Sequence, residues 1–136
     1  MALKIETIEP PGWKPPRGYS NGVLVGGAGR MLFVAGQIAW DAEQRLVGGA
    51  DFKAQFRQAL ANVIAVVEAG GGRAWDLASL TVFVTDKQLY LASAKELGSV
   101  WRDLLGRHYP AMALVEVAAL VEPGALIEIQ GVAAIS

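Results

Sequence analysis

The sequence predicts an α+β fold with elements in the order β-β-α-β-α-β-β, and three observations carry that expectation. Apolar residues recur at helical spacing in two separate stretches. A β-branched apolar run, Leu80-Thr81-Val82-Phe83-Val84, lies between them, and alternating apolar segments stand at both ends of the chain. At 136 residues the length suits one domain, residues 1–136, without internal repeats.

The Pro- and Gly-rich stretch 10–18 excludes regular helix and central strand and reads as an ordered arm. Asn21 to Val25 then reads as a strand, Gly26-Gly27-Ala28-Gly29 as a turn, and Met31 to Gln37 as the hairpin partner. The glycines are no dinucleotide fingerprint, because a strand follows where a helix is needed. Asp51 is placed to cap a helix bearing Phe52, Phe56, Leu60, Val63, Ile64 and Val67 on one stripe, and Gly70-Gly71-Gly72 ends it. A second helix carries Tyr90, Ala94, Leu97, Trp101 and Leu104 and stops before Pro110. Met112 to Val121 and Ala125 to Ala134 complete the strands, separated by the turn signal Glu122-Pro123-Gly124.

Period-two alternation assigns Val115, Val117, Ile127 and Ile129 to the face that the helices cover. Met112, Leu114, Glu116, Glu128 and Gln130 then share the other face, which is too apolar for water yet holds two carboxylates. Two coverings are open to it: the same sheet from neighbouring copies, which is favoured, or the N-terminal arm.

Composition narrows the chemistry. Hydrophobic residues make up 53% and charged residues 18%, an apolar balance that fits a subunit partly covered by partners. Net charge is -1 and Lys and Arg do not cluster, which argues against nucleic-acid binding. Without Cys and with a single His, thiolate catalysis, disulfides and multi-His metal sites are excluded. No apolar run is long enough to span a membrane and the start does not read as a signal peptide, so a cytoplasmic protein without membrane contact is expected.

Glu128, within Leu126-Ile127-Glu128-Ile129-Gln130, is the strongest candidate for chemistry. A carboxylate partly stripped of water suits proton transfer or water activation, and a salt-bridged structural glutamate is the alternative. Glu116 is expected to pair with Arg30, Arg57 or Arg102. Tyr19 and Ser20 follow the arm and offer hydroxyls to a cleft or to loop packing. His108, between Arg107 and Tyr109, is placed to complement a helix C-terminus.

Landmarks in order along the chain are Gly18-Tyr19-Ser20-Asn21-Gly22, Phe33-Val34-Ala35-Gly36-Gln37-Ile38, Gln58-Ala59-Leu60-Ala61-Asn62-Val63 and Leu80 to Asp86. Tyr109-Pro110-Ala111, Val115 to Leu120 and Ile127-Glu128-Ile129 follow. With these the chain resembles the Rid (YjgF, reactive intermediate deaminase) family along nearly its whole length. The resemblance implies a chorismate-mutase-like subunit with two helices on one face of a mixed sheet, a homotrimer, and ligand clefts between subunits. It implies hydrolysis of imines or enamines to carbonyl compounds and ammonia without metal or cofactor. By it, Glu128 and Tyr19 match catalytic cleft residues, and Ala35 and Gly36 border the substrate.

The departure is Pro110-Ala111-Met112, where the family's carboxylate-holding arginine is methionine. Losing such a charge-assisted contact costs about 1.5–3 kcal/mol. Leu114, often cysteine in deaminase-type members, adds apolar surface, so Met112 and Leu114 are expected to wall a site for a less charged small molecule. Arg17 or Arg107 is available as a substitute cation. The reading is therefore a cofactor-free, deaminase-like hydrolase for an imine, enamine or related carbonyl compound, other than a standard 2-aminoacrylate deaminase. A non-catalytic trimer that binds a small metabolite is the alternative.

Overall fold

The computed structural model describes residues 4–8, 10–17, 20–27 and 29–136. Its strands are β1 (Lys4–Ile8), β2 (Gly22–Gly26), β3 (Arg30–Gln37), β4 (Leu77–Val84), β5 (Ala111–Glu116) and β6 (Ile127–Ile135). The helices are α1 (Phe52–Ala69), α2 (Lys87–Ala92) and α3 (Ala94–Leu105). A four-stranded sheet runs in the order β3-β6-β4-β5, antiparallel except for the parallel β4–β5 pair, and β1 and β2 form a separate two-stranded sheet.

Helix α1 forms where the spacing placed it. The Asp51 side chain accepts from the Ala54 N–H at 3.2 Å and satisfies one of the orphan donors of the first turn. Phe56, Leu60, Val63 and Val67 are buried against β6, β3 and α3. Each such side chain contributes about 1.5–3 kcal/mol by leaving water.

Three expectations are corrected. First, β2 pairs with β1 and not with β3, with Ile5 opposite Val25 and Thr7 opposite Val23. The first strand was missed because the proline arm separates it from its partner, while β3 finds its own neighbour in β6, with Phe33 opposite Val132. Second, the second helix is two: Asp86 caps α2 by accepting from the Gln88 and Leu89 N–H groups, and the turn breaks at Ser93 before α3 begins. Third, the strand expected to run to Val121 ends at Glu116, and β4 lies between β5 and β6.

The third correction also changes which face the β5 side chains occupy. Met112 lies opposite Leu80 and Leu114 opposite Val82, both core residues, so Met112 and Leu114 face the helices. Parity was right for β6: Ile127 and Ile129 are in the core, and Glu128 lies opposite Phe83 on the open face. Val115, opposite Phe83, is on the open face as well. A strand that is half apolar on both sides gives no sign of which half is inward until its register is known.

The open face is only partly covered. Ser20 bridges to Ala111, its N–H donates to the Pro110 carbonyl at 3.3 Å, and its hydroxyl donates to the Tyr109 carbonyl. This ties the β1–β2 arm over one end of the sheet, where Val23 and Val25 look toward Val132 and Ala134 across a hollow. Met31, which lines that hollow, is 62% exposed, and Phe33 is 72% exposed.

Candidate functional site

The site begins with an irregularity in β3. Val34 lies opposite Gly131 and Gln37 opposite Ile129, so Ala35 and Gly36 together face Gln130 alone. Such a bulge bends its strand and re-aims what lies beside it. Here it brings the Gly36 backbone under Glu128: a Cβ at position 36 would stand 2.7 Å from Glu128 Oε2. Only glycine permits that approach.

Glu128 and Gly36 line a cleft of about 370 Å³ with Gln37, Ile38, Trp40, Gln44, Val121 and Glu122. The Glu128 carboxylate makes no ion pair or hydrogen bond with any described residue, which removes the salt-bridged structural alternative among them. Trp40 Nε1 is buried without a hydrogen-bond partner among the described residues. Tyr19, the other expected catalytic residue, lies outside the described residues.

The wall formed by residues 38–49 is held by a polar stripe on α1. Asn62 donates to the carbonyls of Ile38 and Trp40 at 3.0 and 2.8 Å, and Gln58 donates to Trp40 at 3.2 Å. One turn earlier, fully buried Gln55 donates to Gly49 and Gly124 and accepts from the Leu126 N–H. All its polar capacity that matters is used, which is why an amide can sit in the core. A tight turn positions Gln44: Asp41 accepts from the Glu43 and Arg45 N–H groups at 2.9 Å, and Gln44 adopts φ 61°. The Arg45 N–H is the main cause holding the Asp41 carboxyl below its ordinary range.

Other expectations fare differently. Glu116 pairs with none of the three arginines; it accepts from the Lys87 N–H at 2.9 Å at the start of α2, and Arg57 pairs with Asp103. His108 lies just past the end of α3, its backbone N–H donates to the Leu105 carbonyl at 3.1 Å, and its Nε2 meets the Leu77 carbonyl at 2.6 Å. Met112 and Leu114 do not join Glu128: they line a second cavity, under α3 on the opposite face. Gln37, Trp40, Gln44 and Glu122 were missed, since a bulge and a side-chain-anchored loop leave no periodic signal. No group of three His, Cys, Asp or Glu suited to a metal ion occurs among the described residues.

Residues 12–135 match the family described as endoribonuclease L-PSP. The chain belongs to this family, the YjgF/RutC/Rid group. It is 34% identical over 120 residues to a RutC family protein of Pyrococcus horikoshii, covering 88% of this chain and 89% of that one. Among solved structures it is similar to a Rid-family protein of unknown function from Yersinia pestis, at 33% identity and TM-score 0.85 over 96% and 98% of the two chains. The YjgF gene product of Escherichia coli matches at 33% identity and TM-score 0.65, covering 85% of this chain and 87% of that one. No described helix is long and apolar enough to cross a membrane.

Proposed function

We propose that this Rid-family chain is a cofactor-free hydrolase of the deaminase type, acting on an imine, enamine or related small carbonyl compound, with Glu128 as its proton-transfer group. The observation that carries the reading is the Glu128 carboxylate seated on the Gly36 bulge, unpaired among the described residues, inside a cleft with further polar groups. Glu128 takes a proton from water as the water oxygen bonds to the imine carbon and the C=N electron pair moves to nitrogen. The same proton is returned to nitrogen, and collapse of the carbinolamine expels ammonia and leaves the carbonyl. An enamine enters by protonation at carbon.

Self-association belongs to the proposal. Phe33, Met31 and Val115 leave an apolar stretch of the open face in water, as interaction surfaces do. Glu128 and Met112 occupy opposite faces of one sheet, so a cleft using both takes them from two copies, in keeping with a homotrimer and inter-subunit clefts. Methionine at position 112 supports a substrate other than 2-aminoacrylate, because it offers no donor to a carboxylate. It equally supports a second reading, a binding or regulatory trimer without turnover. The ribonuclease named for relatives draws no support from a net charge of -1 without a basic track. Neither nucleic acid nor membrane is a proposed partner, and a cytoplasmic location is part of the proposal.

The test is hydrolysis of imines generated in situ, with and without an α-carboxylate. Turnover lost in Glu128→Gln supports the enzyme, and a preference for the uncharged imine supports the altered specificity. Saturable binding without turnover in the wild type moves the conclusion to the second reading.

A further inference from the structure

The Glu128 cleft presents acceptors and no cation. Its charged lining residues, Glu122 and Glu128, are both acidic and both partly buried, and neither carboxylate has an ion pair or hydrogen bond with a described residue. Arg45 follows the lining residue Gln44, yet its guanidinium is taken by Asp41 at 3.4 Å and Glu43 at 2.6 Å. Gln37 uses its Nε2 on the Ala35 carbonyl at 3.0 Å, which leaves its Oε1 without a described partner. Met112, which the proposed association adds to the cleft, brings no cation either.

Trp40 points the same way. The residue is partly exposed while its Nε1 is buried, so the surface that it gives the cleft is ring and not N–H. The face of an indole attracts a cation. Two carboxylates, an amide oxygen and an indole ring together match the N–H groups of a planar nitrogen cation. They meet a carboxylate with like charge, and with no cation to offset its lost hydration.

From this we infer that the substrate of the Glu128 cleft is an iminium cation that carries no carboxylate, with Glu122 as the residue that selects its charge. The inference rests on the hydrolase reading above and adds the charge of what enters. The iminium brings the proton that makes its carbon electrophilic. As the water oxygen bonds to that carbon, Glu128 takes one water proton and the C=N pair moves to nitrogen, and Glu128 then returns the proton to nitrogen. When the C–N bond breaks, its electron pair leaves with nitrogen, an oxygen pair forms C=O, and the hydroxyl proton passes to nitrogen. Iminium and water have become a carbonyl and ammonium, and Glu128 ends as it began. Glu122 holds the nitrogen end and takes no part in the transfers.

Calorimetric titration of the full chain with benzamidine, benzamide and benzoate tests this, because the three share a planar shape and differ in charge at the same group. A cleft of about 370 Å³ has room for them, since about 150 Å³ accepts benzene. Benzamidine is expected to bind at least about tenfold tighter than benzamide, with benzoate undetectable. Glu122→Gln keeps the size of the side chain and leaves the Ala125 N–H its bond to the carbonyl of position 122. With circular dichroism unchanged, it lowers benzamidine affinity about tenfold and leaves benzamide where it was. It also raises KM for a carboxylate-free imine more than it lowers kcat. The inference is overturned by benzoate binding as tightly as benzamidine, by no saturable binding of any of the three, or by full benzamidine affinity in Glu122→Gln. Glu128-dependent turnover that favours the α-carboxylate imine overturns it too, while the hydrolase stands. Charge-selective binding without turnover in the wild type does the opposite: the hydrolase reading falls, and the cation selectivity holds for a binding protein.

Discussion

On the helix face, Leu80, Val82, Ile127 and Ile129 are shut away from solvent beneath α1 and α3. On the other face of the same sheet, the one that carries Glu128, Phe33, Met31 and Val115 stand in water. Both faces are rich in large apolar groups, so hydrophobicity alone does not separate them. What separates them is a partner: the chain supplies two helices for one face and only a short arm for part of the other. An apolar face that a chain leaves open is a face for association or for ligands.

The largest expected effect breaks the covered face. Leu60 is fully buried in α1, and Leu60→Ala removes methyl groups that nothing can replace, costing about 2–5 kcal/mol by urea denaturation. Phe33→Ala, on the uncovered face, is expected to change the stability of a separated subunit by no more than about 0.5 kcal/mol. Under the association proposed above, it instead makes the unfolding midpoint depend more steeply on protein concentration. Sedimentation of Phe33→Asp gives the complementary result, a smaller species with native circular dichroism. An unchanged sedimentation coefficient in that variant counts against the open face as the interface.

Gln55→Ala comes next. It strips partners from the Leu126 N–H and from the Gly49 and Gly124 carbonyls, an expected loss of about 1–3 kcal/mol in denaturant unfolding. Because these bonds hold the segments flanking the Glu128 cleft, amide exchange at residues 38–49 rises more than exchange in β4. Uniform loss of protection would mean that Gln55 supports only the global fold.

Gly36→Ala sharpens the contrast at the level of one atom. The added methyl would lie 2.7 Å from Glu128 Oε2, so the carboxylate, the far end of a flexible side chain, swings away at little cost in stability. Any Glu128-dependent turnover falls sharply while circular dichroism stays native, and unchanged turnover in this variant would mean that the Gly36 bulge does not set the Glu128 carboxylate.

The helix face was the legible one. Leu60, Val63 and Val67 announce α1 by spacing, and Asp51 and Gly70 mark its ends, because these signals are local. Glu128 was also readable as a carboxylate in an apolar strand, and the alternation of β6 placed it on the correct side. Met112 and Leu114 were assigned to the wrong face because β5 carries apolar residues on both sides, and only pairing with Leu80 and Val82 decides between them. The β1–β2 pairing crosses the whole proline arm, a distance over which sequence pattern carries no register. Trp40 and Gln44 entered the cleft on a loop fixed by Asn62, Gln58 and Asp41, contacts that exist only after folding.

The smallest effects come from pH, and they act on the two faces in opposite directions. Burial raises the Tyr90 pKa above its ordinary 10.0, so the unfolded chain releases this proton first as pH rises. The contribution is full below that ordinary value and fades as pH climbs through the folded one, with absorbance of tyrosinate lagging in the wild type and no such lag contributed in Tyr90→Phe. Asp41 behaves in the opposite sense, its carboxyl lowered from 3.8 chiefly by the Arg45 N–H. Its contribution is present above that ordinary value and is lost as pH falls through the folded one. Because Asp41 lies at the surface, partly exposed, the effect is local: acid releases the 41–45 turn that carries Gln44, while the helix-covered face keeps its form. Amide exchange at Glu43 and Arg45 should therefore quicken below about pH 4 in the wild type and be already fast at neutral pH in Asp41→Ala. Quickening at Leu114 over the same range would mean that the two faces open together, and that the bulged face has no independent unfolding unit of its own.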